Sequence, residues 1–227
     1  MVDLKLLVLS DIHGDSSTII RIKEEVLHES ITALIVCGDI THFGSLVETT
    51  RIIDRLINLG VPVFFVPGNC DPKELSTIPI ISGAVNLHRK YREIEGIGLL
   101  GIGGSPIGPF HTPFEMSEKE MRSILEEITK GSTIKKGFIL ITHAPPKNTK
   151  VDLVKLGIHT GSQAIRDFIE REKPALVLCG HIHEARGTDT IGNTLIVNPG
   201  PANKCLYATI DINEQIQARL KDCSKKG

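Results

Sequence analysis

Short runs of branched apolar residues recur along this chain, and each gives way to a residue able to ligate a metal. Residues 4–9 lead to Asp11 and His13. Residues 33–37 lead through Gly38 to Asp39, and residues 63–66 through Gly68 to Asn69. Residues 138–141 lead to His143, and residues 175–179 through Gly180 to His181 and His183. Runs this short, apolar on both faces, read as central strands covered by helices. In open α/β sheets, ligands bind beyond the carboxyl ends of the strands. The pattern therefore predicts carboxylates, imidazoles and one amide at a single rim, where two divalent cations could be held.

Helical stretches separate the strands. Ile19, Ile20, Lys23, Val26 and Leu27 predict one apolar face, and Leu46, Val47, Ile52, Ile53, Leu56 and Ile57 another. The second helix should stop at Asn58-Leu59-Gly60, with the glycine as its C-terminal cap. Asp71-Pro72-Lys73-Glu74 has the form of a helix start, with Asp71 as the cap. Ser117 with Glu120 and Thr160 with Gln163 have the capping-box spacing, opening helices to about Lys130 and Glu172. This alternation implies βαβ units and a largely parallel sheet. Residues 91–102, turning at Glu95-Gly96, and residues 186–197, turning at 191–193, read as hairpins, and residues 206–212 as a further strand. Antiparallel pairs in the second half make two sheets a better account than one. Residues 105–114 and 145–158 read as loops, the latter a long polar connection. Residues 1–212 are expected to form one domain, with 213–227 a charged tail frayed from Lys221 onward.

Composition limits the partners. A net charge of -1 leaves no polybasic footprint for extended nucleic acid. No stretch is apolar for long enough to span a bilayer, so no membrane partner is expected. The first residues lack the form of a signal peptide, which predicts a cytoplasmic location. The five cysteines show no knuckle spacing, and Cys37 and Cys179 end apolar runs as buried, reduced strand residues. Imidazole with carboxylate suits manganese, iron, zinc or nickel, and manganese heads that list. Two such metals about 3.5–4 Å apart clamp a phosphoryl group and acidify a shared water to hydroxide.

The order Asp11-x-His13, Gly38-Asp39, Gly68-Asn69-Cys70-Asp71, His143 and Gly180-His181-x-His183 resembles the calcineurin-like metallophosphoesterases from residue 4 to about 211. The resemblance implies an α/β fold of two mixed sheets packed as a sandwich and flanked by helices. It implies one metal on Asp11, His13, Asp39 and His183, and a second on Asp39, Asn69, His143 and His181, with Asp39 bridging. It implies hydrolysis of a small phosphoester by a hydroxide between the metals, Asn69 and His143 assisting. A homodimer is also compatible with the family.

One position departs from the family pattern. Many members carry histidine where this chain has Cys70, and that histidine is thought to protonate the leaving group. A thiol is a poor replacement, since it ionises near pH 8.5 and its thiolate repels phosphate. Phosphodiesters are therefore expected before phosphomonoesters or nucleotide pyrophosphates. Cys70 itself is either a small buried hydrophobe or a substrate contact. A protein-interaction scaffold on the same fold is the reading from another class, and the retention of every ligand weakens it. His42 and His159 read first as loop residues without a role, although either could reach the cleft. Arg186 reads as a solvated strand residue before a phosphate contact. His28, His88 and His111 read as structural, and 198–201 as a rigid turn. Specificity is expected in residues 105–114, the helix after Ser117 and residues 145–160.

Overall fold

The structure is a computed structural model and describes residues 4–131 and 134–224. In chain order the elements are β1 (Leu4–Leu9), α1 (Ser17–Arg21), α2 (Lys23–His28), β2 (Ala33–Val36), α3 (Leu46–Ile57), β3 (Val63–Phe65), β4 (Ile80–Ile81) and β5 (Ala84–Asn86). There follow β6 (Lys90–Ile94), β7 (Ile97–Ile102), β8 (Ser105–Pro106), β9 (Glu115–Met116), α4 (Glu118–Gly131) and β10 (Ile139–Thr142). The chain closes with α5 (Gln163–Glu172), β11 (Leu176–Leu178), β12 (Gly187–Ile191), β13 (Thr194–Asn198), β14 (Leu206–Ile212) and β15 (Ile216–Asp222).

Two large mixed sheets result. One runs β15-β14-β1-β2-β3-β5-β4 and the other β12-β13-β11-β10-β7-β6. In each the centre is parallel and the outer pairs are antiparallel. Successive side chains along a strand face opposite ways, so each central strand serves two cores. Leu4, Leu6, Val8 and Ile35 face Leu99, Ile139, Ile141 and Leu176 between the sheets. Leu7, Leu9, Leu34 and Val36 turn outward onto Ile19, Ile22, Val26, Ile53 and Leu56 of the first three helices. Leu100, Leu140, Val177 and Ile196 turn outward onto Met121, Leu125, Ile165, Phe168 and Ile169 of α4 and α5. The sheets thus form a sandwich flanked by helices, as the family resemblance implies.

Four local expectations need correcting. The first helical face is carried by Ile19, Ile22 and Val26, while Ile20 and Leu27 are exposed. The helix is interrupted at Ile22 into two short pieces, so its inward stripe follows that residue. Asp71 does not cap the following 3-10 turn, which starts behind Pro72 without any side-chain cap. The helix predicted from Thr160 begins later, with Ser162 as its cap accepting from the amide of Ile165. Glu118 of α4 also takes the amides of Gln163 and Ala164 at 3.2 and 2.7 Å, so a tertiary contact rather than a local box fixes the start. Finally, the segment read as a tail contains β15, paired with β14 from Leu206↔Asp222 to Ile212↔Ile216. Cys223 beyond it is buried, and residues 225–227 lie outside the described residues. The capping box at Ser117 and Glu120 is present, with both reciprocal hydrogen bonds made.

Candidate metal centre

The parallel order β1-β2-β3 in one sheet and β10-β11 in the other brings five strand ends to one rim. The loops there are laced by main-chain bonds: the amides of Asp11 and His13 donate to the carbonyls of Gly38 and Asp39 at 3.0 and 2.9 Å. To turn that tightly, Asp11, His13, Asp39 and His181 adopt φ values of 55°, 48°, 50° and 67°. This left-handed region costs a non-glycine residue about 1 kcal/mol or more each, and such strain gathers at functional sites. The glycines that precede the ligands answer to crowding. A Cβ on Gly68 would stand 2.0 Å from Asp39 Oδ1, and one on Gly180 would stand 1.7 Å from Ser10 Oγ and 2.7 Å from Asp11 Oδ2.

All seven side chains predicted as ligands meet here. Asp11 Oδ1 lies 3.2 Å from His183 Nε2, and Asp11 Oδ2 accepts the amide of His181 at 3.1 Å. The Nε2 atoms of His13 and His183 are 3.1 Å apart. Asp39 divides its oxygens, Oδ2 lying 3.7 Å from His13 Nε2 and Oδ1 lying 3.4 Å from His143 Nε2. Asn69 Oδ1 is 2.8 Å from the same His143 nitrogen, and the His181 ring packs 5.0 Å from the His143 ring. Ligand-capable atoms of Asp11, His13 and His183 converge, as do those of Asp11, Asp39 and His143.

The orientation of His143 tests whether a cation fits. Its Nδ1 is 2.8 Å from the carbonyl oxygen of Cys37, an acceptor only, so Nδ1 carries the proton. In the neutral ring Nε2 then presents a lone pair toward Asn69 Oδ1 and Asp39 Oδ1, which are acceptors as well. Between these acceptors there is no donor, Asp39 Oδ1 taking only the Cys70 amide from outside the group, and a cation supplies what is missing. The backbone bond on the far nitrogen is the usual outer support of a ligating histidine.

Electrostatics agree with this. Asp11 and Asp39 are both buried. Burial, together with the neighbouring Asp11 and Asp71 carboxylates, pushes Asp39 up to about 7 against the pull of His143 and the Cys70 amide. A buried carboxylate in this state gains its charge most readily beside a cation. Burial pulls His13 down to about 4 and His181 to about 3, which keeps both rings neutral as metal ligands require. The hydrogen bond that His183 makes to the Asp11 carboxylate raises His183 instead.

Other predicted residues fall in different places. Cys70 is buried beside the centre, its sulfur accepting from Asn69 Nδ2 at 3.5 Å, and burial next to Asp39 raises its thiol well above the usual range. His42 stands edge-on to His13 with ring centroids 5.2 Å apart, so it belongs to the rim rather than to an unrelated loop. His159 is bound through Nδ1 to buried Asp152 at 2.7 Å. Arg186 spends its guanidinium on the carbonyls of Pro199 and Lys221, at 3.1 and 3.0 Å, and is not directed to the centre. His88, buried, accepts the amide of Gly103 at Nδ1, in keeping with a structural role.

The sequence reading gave Asp71 only a helix-capping role. Its two oxygens take the amides of Ile40, Thr41 and Gly68 and the hydroxyl of Thr41, at 2.8–3.1 Å. It therefore ties the Asp39 loop to the Asn69 loop, and no local pattern could have announced a partner 30 residues away.

The sequence and the architecture have counterparts among known proteins. An uncharacterised protein of Methanocaldococcus jannaschii is 41% identical over 212 residues, covering 91% of this chain and 92% of its own. A probable cyclic nucleotide phosphodiesterase of Vesicomyosocius okutanii is 25% identical over 212 residues, 87% of this chain and 86% of its own. A solved structure from Thermus thermophilus shares the fold with a TM-score of 0.76 at 16% identity, covering 98% of this chain and 100% of that one. The family model described as calcineurin-like phosphoesterase matches residues 4–185, so the chain belongs to the calcineurin-like phosphoesterase family.

Proposed function

We propose that this protein is a dinuclear metal-dependent hydrolase of phosphodiesters. The observation that carries the reading is Asp39, whose two oxygens face His143 on one side and His13 on the other. On this reading Asp11, His13, Asp39 and His183 hold one cation, and Asp39, Asn69, His143 and His181 the other. Manganese is the proposed metal, with iron, zinc and nickel as the alternatives the same donors accept. Two divalent cations, when bound, supply charge neutralisation for a phosphoryl group and lower the pKa of water.

The chain's own residues do the rest. The left-handed turns at Asp11, Asp39 and His181 hold the donors in place before substrate arrives, and such preorganisation is where most of the electrostatic effect of an active site originates. The Cys37 carbonyl fixes the tautomer of His143. Cys70 offers neither an imidazolium nor, with its raised pKa, a thiolate, so no cationic acid stands at that position to assist a poor leaving group. That favours diesters with good leaving groups over alkyl monoesters, and the probable phosphodiesterase among the relatives is in keeping with it.

The test is hydrolysis of an aryl phosphodiester and its matching monoester by metal-stripped protein with manganese added back. Diester turnover restored by manganese, with little monoester turnover, is the expected result. Monoester turnover equal to or above the diester rate overturns the diester preference. No turnover of either by protein carrying both metals overturns the hydrolase reading.

A further inference from the structure

Beside the metal centre, on the His13 side, lies a cavity of about 270 Å³. His13 and His42 line it, with Gly14 and Ser16 from the loop after β1 and Arg51 and Arg55 from α3. Resting on the phosphodiesterase reading above, we infer that this cavity is a second anion subsite, and that the substrate is a phosphodiester bearing a further phosphate group on one of its alcohols.

Four features point there. His13 belongs both to the cavity wall and to the ligand cluster with Asp11 and His183, so the space opens directly from the metal centre. Arg51 and Arg55 are four residues apart on one helix, which stacks their side chains on the same face. Neither is ion-paired with a carboxylate among the described residues, whereas Arg89, Arg122, Arg166, Arg171 and Arg219 each are. The lining carries one acid against the two arginines: Glu48, whose Oε2 takes the amide and hydroxyl of Ser45 in the cap of α3 at 2.7 and 3.1 Å and whose charge lies near Arg51.

The chemistry selects phosphate. A guanidinium presents a planar fork that pairs two oxygens of one phosphate, and it stays charged at every working pH. Arg55 is already positioned by its hydrogen bond to Ser16 Oγ, another residue of the lining. The volume equals that of about nine waters, enough for a compact anion with part of its hydration shell. Both arginines are exposed at the surface, so the subsite is a wet one and its affinity should fall with salt. A substrate straddling His13 would place its scissile diester on the metal side and its second phosphate on the arginine side.

Two measurements on the full chain test this. First, inorganic pyrophosphate is titrated calorimetrically into metal-stripped protein. Arg51→Gln combined with Arg55→Gln should weaken binding about tenfold or more, while Arg219→Gln on β15 should not. No binding by the wild type, or equal binding by the double variant, overturns the subsite. Second, manganese-loaded wild type is given 4-nitrophenyl ethyl phosphate and the same diester with a terminal phosphate on the ethyl group. The phosphorylated diester should have a kcat/KM about tenfold higher, through KM, and that ratio should collapse in the double variant. A wild-type ratio near one overturns the substrate class. Failure of both diesters to react, with pyrophosphate still held through the arginines, removes the phosphodiesterase reading and leaves the anion site standing.

Discussion

Asp71 and Thr41, 30 residues apart in the chain, are joined twice through one oxygen: Asp71 Oδ1 takes the amide of Thr41 at 2.8 Å and its hydroxyl at 3.0 Å. The other oxygen takes the amides of Ile40 and Gly68. Asp39 and Asn69, the proposed bridging acid and amide ligand, are therefore held by a clamp that is not itself part of the proposed ligand set. Asp71→Ala leaves these buried donors without an acceptor, at a cost of about 3 kcal/mol or more. The expected outcome is a lower denaturation midpoint together with weaker manganese binding, read by chemical denaturation and equilibrium dialysis. Unchanged metal affinity in a destabilised variant would confine Asp71 to the fold.

The crowding at Gly180 yields a second expectation. An alanine methyl there meets Ser10 Oγ and Asp11 Oδ2, so the His181 turn must move away from β1. Gly180→Ala should keep its far-ultraviolet circular dichroism and lose about tenfold or more in metal affinity, as disturbed ligand support does elsewhere. Wild-type metal content after dialysis would show that the turn yields without harm.

Cys70 gives the expectation for selectivity. Cys70→His introduces a group that can carry a proton to the leaving oxygen, an effect that contributes about a hundredfold in favourable cases. The ratio of monoester to diester turnover should rise about tenfold or more. An unchanged ratio would make Cys70 a packing residue.

Acid sensitivity should come in part from His88. Burial depresses its imidazole to about 4, and its Nδ1 is committed to accepting the Gly103 amide. A histidine whose folded pKa lies below its unfolded value near 6.5 stabilises the fold above that value, and the contribution is lost as pH falls toward 4. The loss by pH 4.5 amounts to about 2 kcal/mol. Urea denaturation at pH 7 and pH 4.5 should show a smaller drop for His88→Gln than for the wild type. Equal drops would assign the acid sensitivity to other groups.

Much of the centre was legible because its parts are local. A branched apolar run, a glycine and a ligand fall within a few residues, and Gly68 and Gly180 explain why: any side chain there would collide with a ligand or its neighbour. What escaped is non-local. Asp71 has the local form of a helix cap, and only the Thr41 loop across from it shows its use. The start of α5 is set by Glu118 from another helix. The strand β15 was hidden by its charge. Ile216, Ala218 and Leu220 alternate with Gln217, Arg219 and Lys221, which is how an edge strand wets one face and repels further pairing. Arg51 and Arg55 sit on a helix whose sequence gives no sign that a cavity opens beside it.

The register Leu4↔Ile212 has a bearing on how the protein comes into being. The strand that delivers Asp11 and His13 is flanked by β2, made soon after it, and by β14, made only after every other strand of the rim. On a ribosome the first strand of the rim waits, with one edge unpaired, until residues 206–212 have emerged. Pairing across so long a loop is slow, and an open strand edge in the interval is a site for mispairing. The nascent chain should therefore be a client for chaperones that shield strand edges, and cation capture should be a late event in the maturation of this protein.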